Sequence, residues 1–323
     1  MKKNNLKKIA RDVIDLEIQA LKKLKLSINR SFEKAVSAIV RCQSKIVLCG
    51  VGKSSIVGSK ISATFSSVGC PSFTLDSSSA SHGDMGSLSK KDVLILISNS
   101  GETQELKPVI QFANRNKITL IGIVSKKNSV LYKASDIKLL IPDVKEAGFG
   151  IVPTSSTTNT LALGDAMAIA CMKYKKFGKL EFKKFHPSGA LGMKLKTVGD
   201  LMLIRNKIPF VNENLLMKYA LKKISKKGLG ALIVKNKKNI TIGILTDGDI
   251  KRLAQKFKNF QELKIKSVMK KNPISVDKNT LAAQALSIMN SKKITSLCVH
   301  AGNQKNKTIG IIHIHNILKA NIS

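Results

Sequence analysis

The chain has 323 residues, a formal net charge of +36, 43% apolar residues and a mean hydropathy near zero, at +0.01. That length leaves room for two or three domains, each with its own buried core. No apolar run approaches the ~18 residues of a membrane span, and the opening MKKNNLKKIARDV lacks a signal peptide's apolar stretch. The expectation is therefore a cytoplasmic protein without a membrane partner.

Composition narrows the partners further. Cys42, Cys49, Cys70, Cys171 and Cys298 show none of the paired spacing of a zinc site or a disulfide framework, so no metal is expected. The basic excess would suit a nucleic-acid binder. Against that, arginine occurs only at positions 11, 30, 41, 115, 205 and 252, Trp is absent, and Tyr occurs three times. Bidentate phosphate and base recognition relies on arginine, and single-strand binding on aromatic platforms. We read the charge as a lysine-rich composition and expect no specific nucleic-acid partner.

In chain order, residues 6–28 and 32–40 carry helical apolar spacing and form an N-terminal helical segment, residues 1–44. Ile46–Cys49 is a short apolar strand that runs into GVGKS and a helix starting near Ser54. A turn of this kind aims backbone N–H groups and the positive end of a helix at one spot, which suits an anion. It is neither a Walker A loop, since Val47 stands where the first glycine belongs, nor a dinucleotide fingerprint, since Ser55 stands where the third belongs. Taken alone it also fits a plain glycine turn.

Ser72–Leu75 reads as a second strand leading into DSSSASHGDMGSL. Asp92–Ile97 is a third, which runs into SNSGETQE and a helix to about Phe112. In this second anion loop Ser98, Ser100 and Thr103 bring hydroxyls and Gly101 permits a tight backbone. Thr119–Val124 and Asp136–Ile141 read as strands four and five. PTSSTT, Pro153–Thr158, then caps a long helix from about Asn159 to Tyr174. Strands alternating with helices predict a doubly wound parallel α/β sheet, with ligands beyond the carboxyl ends of its strands.

Six segments together carry a resemblance: Gly50–Ser54, His82-Gly83-Asp84, Ser98–Glu102, Lys145-Glu146-Ala147, Pro153–Thr158 and HPSGALG at 186–192. They resemble the sugar isomerase (SIS) domain of arabinose-5-phosphate isomerases, over about residues 45–192. From about Thr197 an internal repeat appears. VGDLM at 198–202 answers IKSVM ending at Met269, and IGILTDGDI at 242–250 answers IGIIHIHNI at 309–317. The pair is similar to tandem α+β CBS domains, which follow the SIS domain in that family. The expected domains are 45–195, 196–258 and 262–323.

The resemblance implies interconversion of D-ribulose 5-phosphate and D-arabinose 5-phosphate through an enediolate, feeding the Kdo sugar of lipopolysaccharide. Such chemistry needs a carboxylate base and a group that stabilises the oxyanion, but no cofactor. The resemblance implies Lys53, Glu105, Glu146 and His186 as the catalytic set. Glu146 is favoured as base, Lys53 as charge stabiliser or phosphate partner, His186 as acid–base or proton relay, and Glu105 as second carboxylate or orienter. Gly69, Cys70, His82, Ser98, Ser100, Thr103, Ser155, Ser156 and Thr157 are the implied substrate contacts. A homotetramer is implied, with sites shared between subunits.

Asp76 stands where some relatives bind inhibitory zinc through histidine, so weaker or absent metal binding is expected. Thr246 and Asp249 match the ribose contacts of a nucleotide-binding CBS domain, whereas the second repeat has His313 and Asn316 there. Ser79 replaces a common glutamate, and KEAGFGIVPTSS is one residue short. The alternative is a protein that binds a sugar phosphate, or senses a nucleotide, without turning anything over.

Overall fold

The computed structural model describes residues 3–185 and 189–322. The chain divides into two compact units, one reaching Phe182 and the other starting at Lys183. The first opens with α1 (Lys3–Ser27) and α2 (Arg30–Val40), followed by β1 (Ile46–Gly50), α3 (Lys53–Ser67), β2 (Ser72–Asp76) and α4 (Ser77–Ala80). Next come β3 (Val93–Ile97), α5 (Lys107–Arg115), β4 (Thr119–Val124), α6 (Val130–Ala134), β5 (Ile137–Leu140) and α7 (Ser155–Tyr174).

The five strands form one all-parallel sheet in the order β2-β1-β3-β4-β5. Every residue of β1 and β3 is buried, which is why both read as unbroken apolar runs. Successive side chains on a strand point to opposite faces. Ile46 and Leu48 accordingly join Ile61, Phe65, Ile95 and Met167 in one core. Val47 and Cys49 join Leu94, Leu96, Val109 and Leu120 in the other. The helical N-terminal segment is part of this unit, since Leu24, Ala35 and Ile39 belong to the first core.

At the amino ends of β1 and β3 a buried carboxylate ties the strands together. Asp92, 1% exposed, accepts from Lys45 N at 3.2 Å, Lys45 Nζ at 3.0 Å and Ser89 N at 2.7 Å. Burial pushes its pKa up, but hydrogen bonds from Ser44, Lys45 and Ser89 outweigh that and hold it below the ordinary aspartate value.

The second unit contains the repeat, and its sheets are more entangled than two helix-flanked strand pairs. One sheet has the order β10-β9-β8-β7, built from β7 (Phe210–Asn212), β8 (Ala231–Lys235), β9 (Thr241–Thr246) and β10 (Lys270–Lys271). The other, β11-β12-β13-β6, comprises β6 (Leu203–Ile204), β11 (Ser275–Asp277), β12 (Ser296–His300) and β13 (Gly310–His313). The short strand leading into each repeat thus pairs with the other repeat's sheet. The methionine before each exchanged strand demands a bare backbone on its target. A Cβ on Gly243 would lie 2.4 Å from Met269 Sδ, and one on Gly310 2.4 Å from Met202 Sδ. Ile208, Ala231, Ile233, Cys298 and Ile311 form a core shared by both repeats.

Replacing Asp92 by alanine strands the donors on Lys45 and Ser89. The expected cost is roughly 2–4 kcal/mol of unfolding free energy in urea titrations at pH 7. A lowered folded-state pKa gives stability that is complete above the ordinary aspartate range and is lost as pH falls through the lowered value. Wild-type and variant curves should therefore converge on acidification below about pH 4.

Candidate active site

The chain leaves β1 toward β2 and leaves β3 toward β4, on opposite sides, so a crevice opens beyond the carboxyl ends of β1 and β3. This is the topological switch point at which open α/β sheets hold ligands. Gly50–Ser54 borders it on one side and Ser98–Thr103 on the other. Lys53 is the first residue of α3, one position earlier than the sequence suggests, because Gly52 already serves as N-cap. Its side chain is exposed and makes no ion pair or hydrogen bond among the described residues.

The second loop is held largely by its own hydroxyls. Ser98, 4% exposed, shares a 2.7 Å hydrogen bond with Thr103 through their side-chain oxygens, and its Oγ also accepts from Gly101 N at 3.0 Å. Ser100 Oγ accepts from Glu102 N at 3.2 Å and is exposed. Glu102 Oε1 accepts from Val130 N at 2.9 Å, which ties the loop to the start of α6. That second anchor was not apparent from the sequence, because its partner opens a helix 28 residues away. Glu105 follows in a short 3-10 turn, Gln104–Leu106, with its side chain exposed.

α7 begins at Ser155, four residues before the sequence expectation, because a carboxylate from the segment before it replaces the missing local cap. Glu146 Oε2 accepts from Thr154 N at 2.8 Å and from Thr154 Oγ1 at 3.2 Å, while both of its oxygens lie 3.3 Å from Ser156 N. These are unsatisfied donors of a helix N-terminus, where the dipole also favours an anion. Burial pushes the Glu146 pKa up, and the bonds from Ser156 and Thr154 bring it down below the ordinary glutamate value. Thr154 was not singled out in the sequence, although a threonine after Pro153 at a helix start is a capping signal. Ser155 and Ser156 are consequently buried in the first turn rather than displayed on a loop, and Thr157 Oγ1 donates to Thr154 O at 2.8 Å.

The remaining sequence candidates divide between the two ends of the sheet. His82 is exposed in the turn after α4, on the carboxyl-end side of β2. Asp76 caps α4, accepting from Ser78 N at 3.0 Å and Ser79 N at 2.9 Å, and among the described residues no cluster of three His, Cys, Asp or Glu could hold a metal. Gly69 and Cys70 precede β2, next to Pro71 whose carbonyl accepts from Ile46 N at 2.8 Å. That is the amino end of the sheet, and Cys70 is buried in the core, so within one chain neither reaches the crevice. His186 lies outside the described residues.

In the second unit Thr246 and Asp249 bond to each other, 2.6 Å between Thr246 Oγ1 and Asp249 Oδ2, in a capping box at the start of the helix Asp247–Lys256. Arg252 and Lys270 engage the other Asp249 oxygen. His313 and Asn316 form the corresponding capping box before the helix Ile314–Leu318. The positions that differ chemically between the repeats therefore share a structural task.

Gly101 has φ +70°, and a Cβ there would lie 2.1 Å from Ser129 Oγ and 2.5 Å from Ser129 Cβ. Substitution by alanine should cost roughly 2–4 kcal/mol, combining backbone strain with overpacking, and displace the Ser98–Thr103 loop. Urea unfolding measures the first effect, and the backbone amide NMR shifts of Ser98–Thr103 report the second.

The SIS domain family matches residues 39–170, and the CBS domain family matches twice, at 198–256 and 265–323. Arabinose 5-phosphate isomerase KdsD of Yersinia pestis is 40% identical over 314 residues, spanning 97% of this chain and 95% of that protein. The KdsD protein of Francisella tularensis is 41% identical over 309 residues, 94% of each. An Escherichia coli CFT073 protein solved in complex with arabinose 5-phosphate is 36% identical, with a TM-score of 0.56 over 58% of this chain and 100% of that one. With a parallel sheet, a loop-bordered switch point and a double CBS repeat following in sequence, the chain belongs to the family of KdsD arabinose 5-phosphate isomerases.

Proposed function

We propose that the protein interconverts D-ribulose 5-phosphate and D-arabinose 5-phosphate and supplies the latter for Kdo and lipopolysaccharide synthesis. Catalysis is assigned to residues 45–195, and the CBS pair to 196–258 and 262–323. The observation that carries the reading is the position of Lys53, unpartnered among the described residues, and of a hydroxyl-lined loop on either side of the switch-point crevice, in a chain 40% identical to a KdsD protein.

In this reading the Ser98–Thr103 loop holds the phosphate, and Glu146 takes a proton from C1 of the ketose and returns it to C2. Lys53 faces the oxygen on which negative charge develops. Glu105 orients the hydroxyls, and His186 assists ring opening. The hydrogen bonds at Glu146 keep it ionised at neutral pH, so it is available as an acceptor. The same bonds reduce its basicity, which makes stabilisation of the enediolate by Lys53 the more important contribution. His82, Ser155, Ser156 and Thr157 complete the proposed contacts.

A homotetramer accounts for Gly69 if it faces a neighbouring subunit's crevice, to which Cys70, its side chain buried in its own core, brings only its backbone. The exposed Leu6, Ile9, Ile14 and Ile18 of α1 and Ile56 of α3 offer apolar surface for such an assembly. No helix of the described residues is long and apolar enough to cross a membrane. The cytoplasm is the proposed setting because the substrate is a charged sugar phosphate, which does not cross a bilayer unaided. A nucleotide bound by the CBS pair through Thr246 and Asp249 would have to displace the bonds these residues already make.

Purified protein given ribulose 5-phosphate in deuterated water should form arabinose 5-phosphate carrying deuterium at C2. Glu146→Gln retains an acceptor for Thr154 and Ser156 and should lose about 10²-fold or more in kcat with substrate binding kept; unchanged turnover would remove Glu146 as the base. A base must be deprotonated to act, and this carboxylate titrates below its ordinary value of 4.5. The limb of the kcat/KM profile due to Glu146 should thus fall only as pH drops below about 4.5, at the acid limit of folding.

A further inference from the structure

An open, solvent-exposed cavity of about 830 Å³ lies at the surface between the tips of the β8–β9 and β12–β13 hairpins, one from each repeat. Lys238, Lys305 and Lys307 line it together with Asn239, Asn303 and Asn306, and no carboxylate is among its lining residues. None of the three lysines has an ion-pair partner among the described residues. Lys235, whose Nζ sits 3.4 Å from the centroid of the Phe210 ring, adds a fourth positive charge close enough to Lys307 to feel it.

The two tips are fixed before any ligand arrives. Asn236 Oδ1 accepts from Lys238 N and Ile240 N, each at 3.0 Å, and folds the first tip. Lys307 N donates to Gln304 O at 2.9 Å in the second. Thr241 straps them together, its N donating to Asn306 O at 2.9 Å and its Oγ1 to Thr308 Oγ1 at 2.8 Å. Like charges held together on a cross-braced frame repel one another, and a multivalent anion relieves that repulsion. Amide N–H groups add neutral donors for its oxygens. The lining has no aromatic ring on which a base could stack.

We propose that this cavity is a binding site for a condensed phosphate chain, whether free or as the triphosphate of a nucleotide. It is separate from the Thr246–Asp249 position, which does not line it. The proposal does not rest on the isomerase assignment.

The test is calorimetric titration of the full chain with tripolyphosphate, ATP and adenosine at physiological ionic strength. Tripolyphosphate and ATP should bind and adenosine should not. Tighter binding of ATP points to a nucleotide source, and tighter binding of tripolyphosphate to an inorganic one. The triple variant Lys238→Ala/Lys305→Ala/Lys307→Ala should weaken both by about tenfold or more, while leaving the circular dichroism melt and ligand-free turnover unchanged. A control, Lys222→Ala/Lys226→Ala/Lys256→Ala, removes exposed lysines elsewhere in the same unit and should keep wild-type affinity. Absence of tripolyphosphate binding, or an equal loss in the control, overturns the proposal, since the second would mean diffuse charge rather than a site.

Discussion

The carboxylate of Glu146 on the N-terminus of α7 is the contact on which the first unit turns. α7 has no capping side chain of its own, and Glu146 reaches it from the segment after β5. One ionised group thereby satisfies backbone donors of a 20-residue helix, orders the Ala147–Val152 turn between them, and fixes where the chain re-enters the fold. α7 in turn contributes Leu163, Met167, Ala168 and Cys171 to the core beneath α1, α2 and α3. Losing that acceptor would loosen the helix that closes one face of the sheet.

The same group is the proposed base, and the two tasks agree on charge while conflicting on strength. Capping and proton abstraction both need the carboxylate ionised. Each donor that stabilises the ionised form also weakens it as a base. Abstraction from carbon then depends on lowering the energy of the enediolate, for which the switch point offers Lys53, unpartnered among the described residues, at the positive end of α3. The proposed mechanism therefore asks the anion loops and the carboxylate to act together on one substrate.

The CBS pair follows a different logic, in which the repeats complete each other. Met202 and Met269 each seat on a glycine of the opposite repeat, and β6 and β10 each extend the opposite sheet. Neither repeat closes its sheet alone. Capping boxes built from Thr246 and Asp249 in one repeat and from His313 and Asn316 in the other show that different side chains can meet the same backbone requirement. A difference in ligand chemistry between the repeats does not follow from that substitution.

The strands of the first unit were legible because buried parallel strands are short, continuous and apolar, and β4 spans the residues its sequence marks. The double repeat was legible because related segments recur in order. The turns at Lys53 and Ser98 were legible as strand-to-helix connections because glycine and hydroxyl residues follow apolar runs there, while the ligand they hold was not. What the sequence left open was which partner a group finds beyond its own element. The capping of α7 by Glu146, the anchoring of the Ser98 loop by Glu102, the exchange of edge strands and the placing of Gly69 and Cys70 at the far end of the sheet are all of this kind. Local propensity and spacing act over a few residues, so they determine which elements form. Which donor meets which acceptor across the fold is decided only when packing brings the elements together.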